Sequence, residues 1–303
     1  MKKILLFLLL IITLSITSCT NNSDDIKVLV PNGTPSIAQS LMEYHQDNNN
    51  YQIERVSGPA PLLAAFTSKS HEIIIAPLNL GANLYQKQSS YKLAAVVTWT
   101  NFQLISNNPI DLNNLTDKKI ITYGKNATPE IIIDYLFSQI DSNISISYEA
   151  SSVQESYLKF LQEEDSLAIV SEPVTTTAKE SNPDLYVLDL AEVWTTYTEY
   201  ELFPQAGVFV SESLTDSQIK TYLRALESSV KYTLDNPEIT ASNCKSLEYP
   251  FDEDIISKSI TSSNIEFVYA NEQIDVIYDF LEMILLNKPE LIGESIPDEV
   301  FIW

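Results

Sequence analysis

The run Ile73-Ile74-Ile75, closed by Ala76-Pro77, is the feature that most narrows what this chain can become. No polar residue interrupts it, and it is far too short to span a membrane. A short apolar run of this kind reads as a strand buried on both faces of a parallel sheet. What precedes it fits. Residues 51–56 make a strand, Ser57-Gly58-Pro59 a turn, and a short helix follows in which Leu62, Leu63 and Phe66 share a side. In a parallel sheet the loops at the carboxyl ends of strands line the ligand crevice. Here those loops are residues 57–61 and 76–79.

Small residues and proline, then LLAAFTSKS, then a strand ending in APLNLGAN form a pattern with a known counterpart. It resembles the extracellular solute-binding proteins of ABC importers, and within them the nitrate/sulfonate/taurine-type (NMT1-like) family. The resemblance runs from about residue 26 to the end and rests on element order and short motifs. It implies an α/β, type II periplasmic-binding-protein-like fold of two lobes, each a mixed sheet flanked by helices, with two hinge crossings. Residues 26–106 and 205–303 are then the first lobe and residues 107–204 the second. It also implies capture of a small molecule between the lobes and delivery to the permease subunits of an ABC importer.

A chain of 303 residues is long enough for two cores, and 45% hydrophobic content with 19% charge excludes a disordered one. The net charge of −23 repels phosphate backbones and sets the chain against nucleic acid as a partner. Residues 1–19 read as a lipoprotein signal peptide: Lys2 and Lys3, the apolar stretch 4–12, then Ile16-Thr17-Ser18-Cys19. That tetrapeptide matches the lipobox, in which Cys19 carries the lipid. Residues 20–25, TNNSDD, are a polar tether, so the domain is expected at the extracytoplasmic face of the membrane as a monomer. Cys244 is then left single and reads as a buried inert thiol, with no internal disulfide.

Along the chain, residues 26–30 form a first strand and Thr34-Pro35 a helix cap, with Ile37, Leu41 and Tyr44 as the buried stripe. A helix over 80–86 and a strand over 92–97 follow, and Leu104-Ile105-Ser106 is the strand expected to cross between lobes. The second lobe opens as the first does: VLVPNGTPS is echoed by ITYGKNATPE, strand, loop, Thr-Pro, helix. Each such helix amino terminus points at a shared cleft, or simply caps its helix. Ile132, Tyr135, Leu136 and Ile140 face inward. Strands at 144–148, 167–170 and 186–190 surround a helix at 153–161, and Phe203-Pro204-Gln205-Ala206 makes the return crossing. The carboxyl third reads as helical. Thr215 and Gln218 form a capping box, Asn236-Pro237 breaks that helix, and Asn271 caps a last helix with Ile274, Tyr278, Leu281 and Leu285 inward. The tail, Phe301-Ile302-Trp303, is expected to pin itself to the first lobe.

Catalytic and metal motifs are looked for in vain. His45 and His71 are the only histidines and stand apart, and there is no nucleophile elbow, dinucleotide fingerprint or phosphate loop. Glu163-Glu164 reads as a solvated pair. No cofactor and no enzymatic activity are therefore expected. What remains is a set of loops converging on one crevice: Thr34, Pro35, Ser36, Ser57, Pro77, Asn79, Trp99 and Asn101 from the first lobe, Asn126, Ala127, Thr128 and Glu172 from the second, and Phe203 and Gln205 at the crossing. Helix termini and amides suit an acceptor-rich group, Trp99 and Phe203 a ring, and Glu172 a hydrogen-bond donor or a cation. Lys125 is the one cation in these loops. Without an arginine to grip a planar oxyanion, the solute is expected to be neutral or heterocyclic. Two rivals stand beside import: a ligand-sensing surface lipoprotein, and the enzymes that resemble this fold, namely pyrimidine-precursor synthases and the chorismate dehydratases of menaquinone synthesis.

Overall fold

The structure is a computed structural model that describes residues 25–46, 50–115, 118–140 and 144–303. The signal segment, Cys19 and nearly all of the tether lie outside the described residues. The first sheet has six strands: β1 (Ile26–Pro31), β2 (Tyr51–Val56), β3 (Ile73–Pro77), β4 (Tyr91–Trp99), β10 (Pro204–Ser211) and β11 (Ile265–Tyr269), in the order β11-β4-β10-β3-β1-β2. The second has five: β5 (Gln103–Ser106), β6 (Lys119–Ile121), β7 (Ser145–Ser147), β8 (Leu167–Val170) and β9 (Tyr186–Asp189), in the order β7-β6-β8-β5-β9. β1 lies parallel between β2 and β3, while β10 runs antiparallel between β3 and β4. β6 likewise lies parallel between β7 and β8, with β5 antiparallel to β8 and β9. Both sheets are mixed and flanked by helices, as expected.

The isoleucine run explains the layering of the first lobe. Successive strand residues point to opposite faces, so Ile73 and Ile75 enter one core while Ile74 and Ala76 enter another. Below the sheet lie α1 (Thr34–Ala38), α2 (Ser40–Tyr44) and a long helix with Ile219, Tyr222, Leu223 and Leu226 inward. Above it lie α3 (Pro59–Ser68), α4 (Leu78–Gln86) and a late helix with Ile277, Phe280, Leu281 and Ile284 inward. In the second lobe Ile120 and Ile169 pack against α5 (Thr128–Gln139), and Ile121 and Val170 face α6 (Val153–Phe160) and α7 (Val174–Ser181). α8 (Leu190–Tyr197) follows β9, and its Asp189 cap accepts the backbone N–H of Ala191. The carboxyl third holds α9 (Asp216–Asp235), α10 (Pro237–Ser246), α11 (Glu253–Ser259) and α12 (Ile274–Asn287). The Thr215–Gln218 capping box is present, and Asn236-Pro237 separates α9 from α10. Trp303 donates its backbone N–H to Leu93 at 2.9 Å, and Phe301 is buried, so the tail is pinned to β4. Cys244 is free and buried, and burial pushes its thiol up to about 12.

Several local readings change. β5 pairs with β8 and β9, so the chain leaves the first sheet over Thr100-Asn101-Phe102, before Leu104 rather than at it. Tyr44 (46% exposed), Leu63 (46%) and Ile274 (44%) stand out in solvent. A break at Gln39 shifts the phase of the second half of the first helix, so that Met42 rather than Tyr44 enters the core, and α12 buries the face carrying Ile277 and Ile284 instead. Gln273, not Asn271, precedes α12, without a side-chain cap. β11 interrupts a stretch expected to be helical throughout.

Gly81 sits in α4 where a Cβ would lie 2.0 Å from the ring of Phe209, itself wedged between Phe66 and Phe301. Alanine gains about 1 kcal/mol of helix propensity over glycine, whereas overpacking a filled core costs about 1–3 kcal/mol. Gly81→Ala should therefore lower the midpoint of denaturant unfolding; a raised midpoint would show that the ring yields freely.

Candidate functional site

The cleft loops meet in a seam of buried polar side chains. Gly33, at a φ of 110°, caps α1, which leaves Thr34 as its first residue with no capping hydrogen bond of its own to make. Its hydroxyl turns outward instead. Thr34 Oγ1 donates to the carbonyl oxygen of Glu172 at 3.2 Å and accepts from Asn101 Nδ2 at 2.8 Å. The other end of the Asn101 amide, Oδ1, accepts the backbone N–H of Glu172 at 3.0 Å, and the Asn101 backbone N–H donates to Gln205 Oε1 at 2.7 Å. Asn101, on the outward crossing, thus ties the first lobe to the second and to the return crossing. Thr34, Asn101 and Glu172 are 2%, 3% and 6% exposed.

The Thr-Pro echo is used the same way twice. Ala127 caps α5, and Thr128 Oγ1 donates across the cleft to Asn79 Oδ1 at 2.9 Å. Neither threonine caps its helix, contrary to the expectation from sequence. α1 has only five residues, too few for a useful dipole. The crossings bond to each other as well: Thr100 donates its N–H to the Phe203 carbonyl at 3.0 Å and accepts the Phe203 N–H on Oγ1 at 2.7 Å.

Glu172 has the most telling carboxylate of the seam. Ser262 Oγ donates to its Oε1 at 2.7 Å and the Thr176 N–H donates to its Oε2 at 3.0 Å. Burial outweighs these bonds and raises its pKa above the ordinary carboxylate range, with the Asp189 charge adding to the effect. Ser262 comes from the first lobe, in a turn before β11, and no motif marks it in the sequence. Further contacts close the lobes at the flanks. Lys288, just past α12, reaches Glu130 Oε1 (3.2 Å) and Asp134 Oδ2 (3.1 Å) on α5, and Lys258 on α11 reaches Glu180 Oε1 (2.9 Å) on α7.

Other expected residues sit elsewhere. Ser36 is buried and donates to its own turn at Gly33, and half-buried Pro35 follows Thr34 in α1. Pro77 caps α4. Ser57 is exposed at the rim, accepting from Asn32 Nδ2 at 3.0 Å, and Asn126 is exposed beside half-buried Ala127. Trp99 is buried and donates its indole N–H to the Glu266 carbonyl of β11 at 3.1 Å. Phe203 stacks on Phe280 with centroids 5.5 Å apart. Both rings are packed at the hinge rather than displayed at the seam. The chain's two arginines, Arg55 and Arg224, lie outside the seam; Arg55 pairs with Glu43 over the ring of Tyr249. Among the described residues no group of histidine, cysteine and carboxylate side chains could hold a metal ion, and no helix is long and apolar enough to cross a membrane.

Two mixed-sheet lobes, two crossings and a buried polar seam define a periplasmic-binding-protein-like fold. A family model described as menaquinone biosynthesis matches residues 89–280, from β4 through the second lobe into α12, and the chain belongs to that family. Among solved structures it is similar to an ABC transporter from Parabacteroides distasonis (24% identity, 92% of this chain and 98% of that one, TM-score 0.82). It is also similar to the periplasmic aliphatic sulphonate-binding protein of Escherichia coli (12% identity, 92% of each chain, TM-score 0.70). A third is the alkanesulfonate-binding protein of Xanthomonas axonopodis pv. citri bound to MOPS (10% identity, 92% and 98% covered, TM-score 0.64). At these identities the likeness is one of fold. A search of curated proteins found no match. Membership of a biosynthetic family overturns the expectation of no enzymatic activity, which rested on missing motifs.

The buried Glu172 gives a pH signature. Below the ordinary carboxylate range it is protonated whether the chain is folded or not, and its share of stability is fully present. As pH rises through its raised value, a buried charge must form and that share is lost. Glu172→Gln carries no such charge, so its melting temperature relative to the unaltered protein should climb from acid to neutral pH. Parallel profiles would show that the carboxylate ionises without penalty.

Proposed function

We propose that the chain is the solute-binding component of an ABC importer, held at the extracytoplasmic face by lipid on Cys19, and that its lobes close on a small molecule at the seam. The observation that carries this reading is the pair of cross-lobe contacts, Thr34 to Glu172 and Thr128 to Asn79. Buried polar groups cost free energy unless paired. When the lobes part, the same hydroxyls, amides and carboxylate are free to bind a guest, and closure around it selects the closed state. Asn101, Thr34, Asn79, Thr128, Glu172 and Gln205 supply the central contacts, with Ser57, Asn126 and Ala127 at the rim. A seam with no guanidinium favours a neutral or heterocyclic solute over a strong anion. Permease subunits are the partner to which the closed form delivers it.

The family match favours a second reading, in which the enclosed molecule is transformed, as in a dehydration of the chorismate-dehydratase kind. Glu172 is suited to it: a carboxyl biased toward its protonated form, in a seam that excludes water, can give or take a proton at a bound substrate.

Thermal-shift screening of the purified domain against pyrimidines, amines, sulfonates and nitrate tests the binding reading. A neutral or heterocyclic compound should raise the melting temperature, and Asn101→Ala should weaken its binding about tenfold or more, since a hydrogen bond lost in a buried site costs about 1–3 kcal/mol. Stabilisation by strong anions alone would contradict the choice of solute. Mass spectrometry after incubation then separates the two readings: an unchanged compound supports transport, and a product that disappears in Glu172→Gln supports catalysis.

A further inference from the structure

Glu172 lies where the two lobes touch, and its neighbours come from both. Its carboxyl group meets Ser262 Oγ of the first lobe at 2.7 Å and the Thr176 N–H of its own α7 at 3.0 Å. Its backbone meets Thr34 of α1 and Asn101 of the outward crossing. When the lobes part, Ser262, Thr34 and Asn101 are drawn away and water takes their place, while Thr176 stays. Thr176 lies in the first turn of α7, where the helix dipole favours a charged carboxylate. The open state therefore holds Glu172 ionised. The closed state does the reverse, because it takes the group out of water.

The bonding of the closed seam suits a carboxyl that carries a proton rather than a charge. Among the described residues no lysine, arginine or histidine comes within ion-pair distance of Glu172. Ser262 Oγ has two acceptors in reach, Glu172 Oε1 at 2.7 Å and the Ser259 carbonyl at 3.3 Å, and one hydrogen to give. With Glu172 ionised, one of those contacts goes unmade. With Glu172 protonated on Oε1, the carboxyl donates to Ser262, Ser262 donates to Ser259, and both are made. The surrounding charges do not offset this. Asp189, at the start of α8, acts on Glu172 as a like charge, and Glu192 acts on Asp189 in the same sense. On α7, Lys179 is held by the carbonyls of Pro183 and Leu185, and Glu180 pairs with Lys258 of α11. On α11, Glu253 pairs with Lys245, and Asp254 acts on Lys258. Tyr123, which donates its hydroxyl to the adjacent Ser171, is kept neutral by burial. The loops at 33–36 and 100–103 and the turn Ile260–Ser262 carry no ionisable side chain.

We propose that closing the lobes takes up one proton from solvent and holds it on Glu172, so that acid favours the closed state and rising pH opens it. The inference rests on the reading that the lobes part and close, and it holds whether the guest is carried or transformed. Below the ordinary carboxylate range Glu172 is protonated open or closed, and no proton moves. Between that range and the raised value of the closed state, the open-to-closed ratio climbs with pH by up to about tenfold per unit. Above the raised value both states are ionised and the ratio is level again. A guest is then held more firmly in acid and released more readily as pH rises.

Hydrogen exchange at the residue-172 amide, followed by NMR on the isotope-labelled protein from about pH 4 to about pH 8, tests this. That N–H bonds to Asn101 Oδ1 in the seam, so it exchanges when the lobes part. Base-catalysed exchange alone rises about tenfold per pH unit, and proton-linked opening should multiply that by up to about ten again. Glu172→Gln, whose side-chain amide donates to Ser262 and accepts from Thr176 as the protonated carboxyl does, should show the tenfold slope only. Asp189→Asn, which keeps the oxygen that caps α8, should retain the steep slope and move it to lower pH. A tenfold slope in the unaltered protein, a steep slope surviving in Glu172→Gln, or a steep slope lost in Asp189→Asn alone would overturn the proposal. Exchange at residue 172 no faster than inside β8 would show lobes that never part, and would remove the lobe reading as well as the proposal. A carboxyl-carbon titration of Glu172 in the unaltered protein is independent of the variants: a midpoint above 4.5 is expected, and one at or below it would contradict the proposal.

Discussion

The arrangement of the two lobes depends on one side-chain amide. Asn101 lies where the chain leaves the first sheet, and its two ends bond in opposite senses, Nδ2 to Thr34 and Oδ1 to the N–H of Glu172. An amide donates from one atom and accepts on another, so a single side chain reaches a partner in each lobe. A carboxylate there could only accept, and would leave Thr34 without its donor. Each such bond adds only about 0.5–1.5 kcal/mol net, but a buried group left without a partner costs about 1–3 kcal/mol. On the proposed reading, contacts of this size are weak enough overall for closure to reverse.

Much of the framework was legible in the chain because it is written locally. The Ile73–Ile75 run demanded a strand buried on both faces, and its residues do divide between two cores. The capping box at Thr215 and the proline at 237 act within a turn of themselves and could be read directly. Features set at long range could not. Ser262 reaches Glu172 across ninety residues of sequence with no motif to announce it. The Thr-Pro pairs were legible as helix starts, but whether a threonine hydroxyl caps its helix or crosses a cleft depends on what stands opposite. Trp99 and Phe203 have the composition of stacking platforms; only their packing on β11 and Phe280 shows them to be hinge core. β11 was missed because only its first residue, Ile265, is buried and it follows a helical run.

Function is divided between fold and family. The fold is shared with solute-binding proteins of ABC systems, and the family is one of menaquinone biosynthesis. Physically the two demands overlap: a carrier and an enzyme both need lobes that shut water out around a guest, and one scaffold hosts several functions through the residues at its site. What separates them is whether a group in the closed seam can exchange a proton with the guest. On the readings proposed above that group is Glu172, whose burial raises its pKa and whose backbone is fixed to Asn101 and Thr34.

The central claim is that the polar seam, Asn101 together with the two threonine contacts it sits beside, holds the lobes together. Nitroxide labels at Thr67 on α3 and Gln162 beyond α6, both exposed, report the distance between lobes by double electron–electron resonance. The protein should give one narrow distance distribution, and Thr34→Val with Thr128→Val, which keeps shape and removes both hydroxyls, should shift it to longer, broader distances. An unchanged distribution in the double variant would contradict the account.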